Sequence, residues 1–205
     1  MTGSGSPRPQ PPSSDSWPDA GALAALCAGL VDAWLARQAA CPDWTETERA
    51  FPPAGVGWRP LVARLQIVNA YQWREEDRSR DPAAGDAVLA AVKRAIDASN
   101  SRRVRAVEAL DAFIVGGLES AGLLAPGAPL HSESPGSIVD RLTVLALKRA
   151  HARDADRLAL LDEQWRDLLA CLDRLGADVA AGRARVKLYR QVKLYGAPEV
   201  TPPAC

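Results

Sequence analysis

The sequence predicts an all-α protein: a single helical bundle of about five to six helices with one long central helix. Three observations carry this. Leu158, Leu161, Trp165, Leu168, Leu172, Leu175 and Val179 recur at alternating spacings of three and four, a sustained apolar seam. The other long segments show the same period and open or close on caps and prolines. No stretch alternates apolar and polar residues as a half-buried strand does.

The elements follow in order. Residues 1–15, rich in Pro, Ser and Gly, hold almost no apolar side chains and are expected to be a disordered tail. No apolar run directly follows a basic start, so a signal peptide is not expected. Ser16 and Pro18 open a first helix, to about Ala40. Its run ALAALCAGLVDAWLA is interrupted by Asp32 and reads as too short to span a bilayer. Residues 41–57, with CPDW and FPPAGVG, are expected to be an irregular loop. A second helix runs from about Pro60 to Arg80, stopped by Asp81-Pro82. A third, the long one, starts near Asp86 and continues to Ser120. After a Gly- and Pro-rich loop, Ser134-Pro135 reads as an N-cap with proline at the first helical position. That helix turns Ile138, Leu142 and Leu145 inward. The seam helix follows. VKLY then occurs twice, at 186–189 and 192–195, as a basic amphipathic ending to a helical domain of residues 16–195. Residues 196–205 form a Pro-rich tail.

Composition excludes several function classes. The 205 residues carry 25 basic and 25 acidic side chains. This balance argues against a nucleic-acid tracker and against a polybasic membrane contact. The four cysteines, at 27, 41, 171 and 205, lack metal-site, redox-motif or disulfide-framework spacing, and the expected compartment is the cytoplasm.

Polar residues on inward faces are the candidates for function. Leu65, Asn69, Trp73, Glu76 and Arg80 share one helical face that turns polar along its length. The long helix has the stripe Leu89, Val92, Ile96, Ser99, Arg103, Val107, Leu110 and Ile114, apolar at both ends and polar in the middle. Lys93, Asp97 and Asn100 lie beside it. Clustered titratable groups of this kind either form a structural network or line a polar cavity between helices. No dinucleotide or P-loop motif, no HExxH and no GxSxG elbow occurs. The only histidines are His131 and His151, with no ExxH pair. No metal and no cofactor are therefore expected.

WREEDRSRDP, KRAIDASNSRR and HSESPGSIVDRLTVLALKRAH resemble the bacterial domain-of-unknown-function family 4254 over roughly residues 60 to 200. Its motifs are W-H-x-E-D-x-A-R, K-R-x-I-D-x-x-N-Q-x-R-N-D and N-S-E-T-P-G-S-I-I-D-R-L-S-I-L-x-L-K-x-x-H, followed by an ending like YRQVKLYGAPE. The matching positions are Trp73, Glu76, Asp77, Arg80, Lys93, Arg94, Asp97, Asn100, Arg103, Ser132, Glu133, Asp140, Arg141, Lys148 and His151. The chain departs from the pattern at Arg74, Ser101, Val104 and Arg105.

The resemblance implies an accessory protein of sugar-transfer or surface-polysaccharide systems, or a relative recruited to natural-product synthesis. The leading expectation is a subunit of a two-protein aziridine-forming enzyme of the azinomycin type, in which an amine displaces a neighbouring sulfate. In that reading Glu76, Asp77 or Glu133 takes the amine proton, and Arg80, Arg103, Arg141 or Lys148 stabilises the leaving sulfate. Trp73, Asp97, Asn100 and Asp140 complete the substrate-binding set. The expected partners are a second protein subunit and a small-molecule or carrier-bound substrate. The alternative is a non-catalytic helical scaffold that docks a glycosyltransferase or another subunit.

Overall fold

A computed structural model describes residues 16–190. The expected tails, 1–15 and 196–205, and the second VKLY copy lie outside the described residues. Six α-helices follow one another: α1 Ala20–Arg37, α2 Trp44–Ala50, α3 Arg59–Arg78, α4 Asp86–Ser120, α5 Pro135–His151 and α6 Ala155–Ala180. Among the described residues the only β pairing is an isolated parallel bridge between Leu130 and Arg185. The fold is an all-α bundle.

Local chemistry sets most helix boundaries. Asp19 caps α1, accepting from the Ala22 amide at 2.8 Å. The helix therefore starts after Pro18 rather than at Ser16. A short 3-10 turn, Gln38–Ala40, extends it. α2 lies inside the segment read as loop. Asp43 caps it by accepting from the Glu46 amide at 3.0 Å, and the Thr47 hydroxyl donates to the Asp43 carbonyl at 2.7 Å. Two turns between prolines give too little periodicity to stand out in sequence. Ser134 caps α5, and Asp154 caps α6.

The most enclosed helix is α3, buried without a break from Leu65 to Tyr71. It packs most extensively on α4, then on α1 and α5. The 35-residue α4 is the longest helix. Its N-terminal third leaves Val88 exposed, while Leu110, Ile114 and Leu118 are fully buried. In α6 the apolar seam is covered except at its N-terminal start. Trp165, Leu172, Leu175 and Val179 are buried, but Leu158 remains 36% exposed.

Ala20–Ala40 is long and apolar enough, by length and composition, to cross a membrane, contrary to the expectation that the run is too short. Core helices of soluble proteins pass the same test. Here Leu23, Cys27, Val31 and Trp34 pack into the bundle, and 22% of the apolar window is buried. After α6 the chain turns at Gly182, which has φ 67°, and runs extended. The first VKLY copy buries Val186 there, beside the bridge to Leu130.

Candidate functional site

Three helices meet around one carboxylate. Arg103 of α4 grips Asp140 of α5 with two edges. Its Nε lies 2.9 and 3.0 Å from the two carboxylate oxygens, and its Nη2 lies 2.6 Å from Oδ2. Asn69 of α3 donates from Nδ2 to Asp140 Oδ1 and to Thr143 Oγ1, both at 2.8 Å. Gln66, one turn earlier, donates to the Thr143 carbonyl at 3.1 Å. The polar middle of the α4 stripe therefore has a partner. Ser99 Oγ donates to the Val68 carbonyl at 3.4 Å, and Arg103 carries the cross-helix ion pair. Asp140 is 13% exposed and Arg103 34%, so the pair sits at the edge of the core.

A groove of about 420 Å³ opens beside this pair. Arg141, Val144, Leu145 and Lys148 line it from one face of α5. Arg103 contributes from α4, and Gln164, Asp167 and Leu168 from α6. Each cation keeps donors free of the described residues. Arg103 Nη1 makes no bond there. Arg141 uses only Nη1, toward Glu133 at 3.0 and 3.1 Å. Lys148 and Asp167 have no described ion-pair partner. The groove thus presents three cationic side chains and one uncommitted carboxylate over an apolar floor.

The start of α5 is built for close approach. The Gly136 amide donates to Asp111 Oδ1 at 2.6 Å. A Cβ on Gly136 would lie 2.7 Å from that oxygen and 2.9 Å from the Val107 carbonyl. Burial raises the Asp111 pKa, partly offset by the Ser134 hydroxyl and the Gly136 amide. The S-P-G-S stretch is thus a cap, a helix-starting proline and a contact glycine, which is architecture rather than chemistry.

The other expected site residues lie elsewhere. Arg80, just past the end of α3, pairs with Glu76 at 3.8 Å and with Asp77 at 3.0 Å. Lys93 and Asp97 pair at 2.5 Å on the exposed face of α4. Asn100 accepts from Gln72 at 2.8 Å. None of these lines the groove. Glu133 stands beside it through Arg141. Trp73 stacks on His151 with ring centroids 5.2 Å apart, and His151 Nδ1 lies 2.8 Å from the Leu147 carbonyl. Among the described residues no three His, Cys, Asp or Glu side chains converge to hold a metal ion.

Two features escaped the sequence reading. Glu75 is 1% exposed and pairs with Arg74 and Arg78, each at 2.9 Å. Arg74, where the family motif has His, also donates to the Gln38 and Cys41 carbonyls. It lies 4.9 Å from the Tyr71 ring centroid and 5.4 Å from that of Trp34. The signal was present, because Val68, Tyr71 and Glu75 continue an apolar stripe at spacings of three and four. Asp167 and Gln164 carried no such signal. They flank the α6 seam, where acidic residues are common.

Residues 59–156 match the family described as "Protein of unknown function (DUF4254)". This supports the resemblance read from the motifs. The match covers α3, α4 and α5 and stops just inside α6, short of the VKLY segment. It takes in Arg103, Arg141 and Lys148 but not Gln164 or Asp167. No curated protein and no solved structure matches the chain.

Proposed function

We propose that the α4–α5–α6 groove binds a small molecule carrying both an amine and an anionic ester. We further propose that the chain is a subunit of a natural-product enzyme that closes an aziridine by displacing sulfate. The observation that carries this reading is the charge set of the groove: Arg103, Arg141 and Lys148 with Asp167. Its volume lies within the range of small-molecule sites, roughly 300–1,000 Å³.

The ring closure places defined demands on those residues. The amine nitrogen attacks the neighbouring carbon, a C–N bond forms and the C–O bond to sulfate breaks. Sulfate leaves with the electron pair, and the nitrogen loses a proton. Arg103, prealigned by Asp140, and Arg141 offer guanidinium donors to the sulfate oxygens, and Lys148 adds a point charge. In this reading Asp167, which lines the groove, accepts the proton that the nitrogen loses. Glu133 is the alternative base, because it flanks the groove through Arg141. Glu76 and Asp77 are engaged with Arg80 and do not line it.

The second reading is a non-catalytic accessory protein that docks a partner. It is favoured by the number of motif charges spent on exposed local ion pairs. The two readings separate on sulfate release. The purified chain, alone and with a co-expressed second subunit, is incubated with a sulfated vicinal amine such as 2-aminoethyl hydrogen sulfate. Lys148→Ala is expected to weaken binding of that probe. Asp167→Asn is expected to bind it and release sulfate about 100-fold more slowly, the scale for a lost general base. Saturable binding with no sulfate release under any pairing would leave the accessory reading.

A further inference from the structure

A second charged surface lies on α2, α3 and α4, apart from the residues that line the groove. Trp44 of α2 carries two guanidinium groups over its ring. Arg64 of α3 sits 5.1 Å from the ring centroid, and Arg102 of α4 sits 4.7 Å away. Tyr71 meets the same ring edge-on at 5.5 Å. Arg105 lies one turn beyond Arg102 on the same face of α4. The nearby acids are spoken for. Glu48 is held by Arg64, and Asp43 caps α2. Neither Arg102 nor Arg105 has an ion pair with a described residue. Burial lowers the Arg102 pKa, Tyr71 and Glu48 partly oppose this, and Arg105 and Arg64 lower it further. Three guanidiniums thus stand beside two acids that are already engaged, Glu48 with Arg64 and Asp43 with the α2 N-terminus, in a chain whose basic and acidic side chains number 25 each.

We propose that Arg64, Arg102 and Arg105 around Trp44 form a docking surface for an acidic protein segment, one that presents carboxylates a helical turn apart. Charge complementarity supports this occupant. The cations come from helices packed side by side, and the 102/105 spacing matches acids at i and i+3 or i+4 on a partner helix. Arginines stacked on an aromatic ring are already ordered, so less entropy is lost when their remaining N–H groups meet carboxylates. Arg and aromatic side chains are also the types that dominate interface energetics. The surface adjoins the proposed groove in sequence, because Arg103 turns toward Asp140 while its neighbour Arg102 turns toward Trp44.

The test is fluorescence anisotropy with a fluorescein-labelled octaglutamate peptide at low salt, with circular dichroism to check the fold. Wild type is expected to bind saturably. Arg105→Glu, an exposed change that leaves the Trp44 stack in place, should weaken binding about tenfold. Arg102→Glu combined with Arg105→Glu should weaken it further. Arg166→Glu with Arg174→Glu on α6 changes net charge equally and should shift the affinity less than twofold. Equal loss in the two double variants would reduce the effect to general electrostatics and overturn the proposal. So would absence of saturable binding to wild type. Sulfate displacing the peptide far better than chloride at the same ionic strength would mark a small-anion site and overturn it as well.

Discussion

Two regions of this bundle carry the same kinds of residue and differ in what those residues accomplish. At the α3–α4–α5 junction, Arg103, Asp140, Asn69 and Thr143 connect three helices through partly buried bonds. At the end of α3 and on outer α4, Glu76, Asp77, Arg80, Lys93 and Asp97 connect only to neighbours three or four residues away. Sequence motifs reach both regions, through Arg103 and Asp140 in the first and through all five charges of the second. Geometry separates them, because an ion pair gains structural consequence when its partners come from different helices and lose water together. Exposed i,i+3 and i,i+4 pairs are screened and contribute tenths of a kcal/mol.

The largest expected effect therefore falls at the junction. Arg103→Ala would leave Asp140, 13% exposed, without its counter-charge. Loss of a fully buried partner costs about 3–5 kcal/mol. Because Arg103 is itself a third exposed, solvent screening lowers the expectation to about 2 kcal/mol. Urea unfolding reads this directly, and a loss below about 0.5 kcal/mol, the range of surface pairs, would erase the contrast.

Gly136→Ala comes next. The added methyl would meet Asp111 Oδ1 at 2.7 Å and the Val107 carbonyl at 2.9 Å. Overpacking of this kind costs roughly 1–3 kcal/mol. Combining it with Asp111→Gly should recover part of the loss, because one of the two clashing groups is gone. If the double variant were less stable than the sum of the singles, the contact would not be the cause.

Asp111 sharpens the comparison through pH. Its folded-state pKa is raised, chiefly by burial. The fold therefore favours the protonated acid, and the associated stability is fully present below the ordinary value of 3.8. That stability is lost as pH rises through the raised value. Asp111→Asn keeps an oxygen for the Gly136 amide and removes the titration. Its melting temperature relative to wild type should therefore climb as pH increases through that window. A difference independent of pH would show that Asp111 does not titrate differently in the folded and unfolded states.

Legibility from sequence divides along the same line. Helices α3 to α5 could be placed because Pro60, Asp81-Pro82 and Ser134-Pro135 punctuate them, and because their apolar residues keep one period. The polar middle of α4 was likewise visible, and Arg103 turned out to face Asp140. What a single chain does not state is which charges from different helices meet. Arg141 and Lys148 fall in one groove, whereas Arg80 and Asp97 do not, although all four are positions that match the family motifs. Asp167 looked like any other acid of α6, since only the packing of α5 against α6 brings it to the groove. The first turn of the α6 seam is uncovered for a related reason. Periodicity marks an apolar face but not whether a neighbour covers it, and Leu158 has none sufficient to hide it.

The smallest expected effect tests the other side of the comparison. Lys93 and Asp97 are 69% and 57% exposed, one turn apart on α4. Each substitution to Ala should change stability by less than about 0.5 kcal/mol, and the double-mutant coupling should fall near 0.3–0.5 kcal/mol. The coupling should fade at high salt, because the pair faces water and the Debye length falls to about 3 Å at 1 M. Probe binding in the groove should be unchanged in both variants, since neither side chain lines it. A salt-resistant coupling above about 1 kcal/mol, or a loss of probe binding, would mean that these charges act with the groove rather than only with each other.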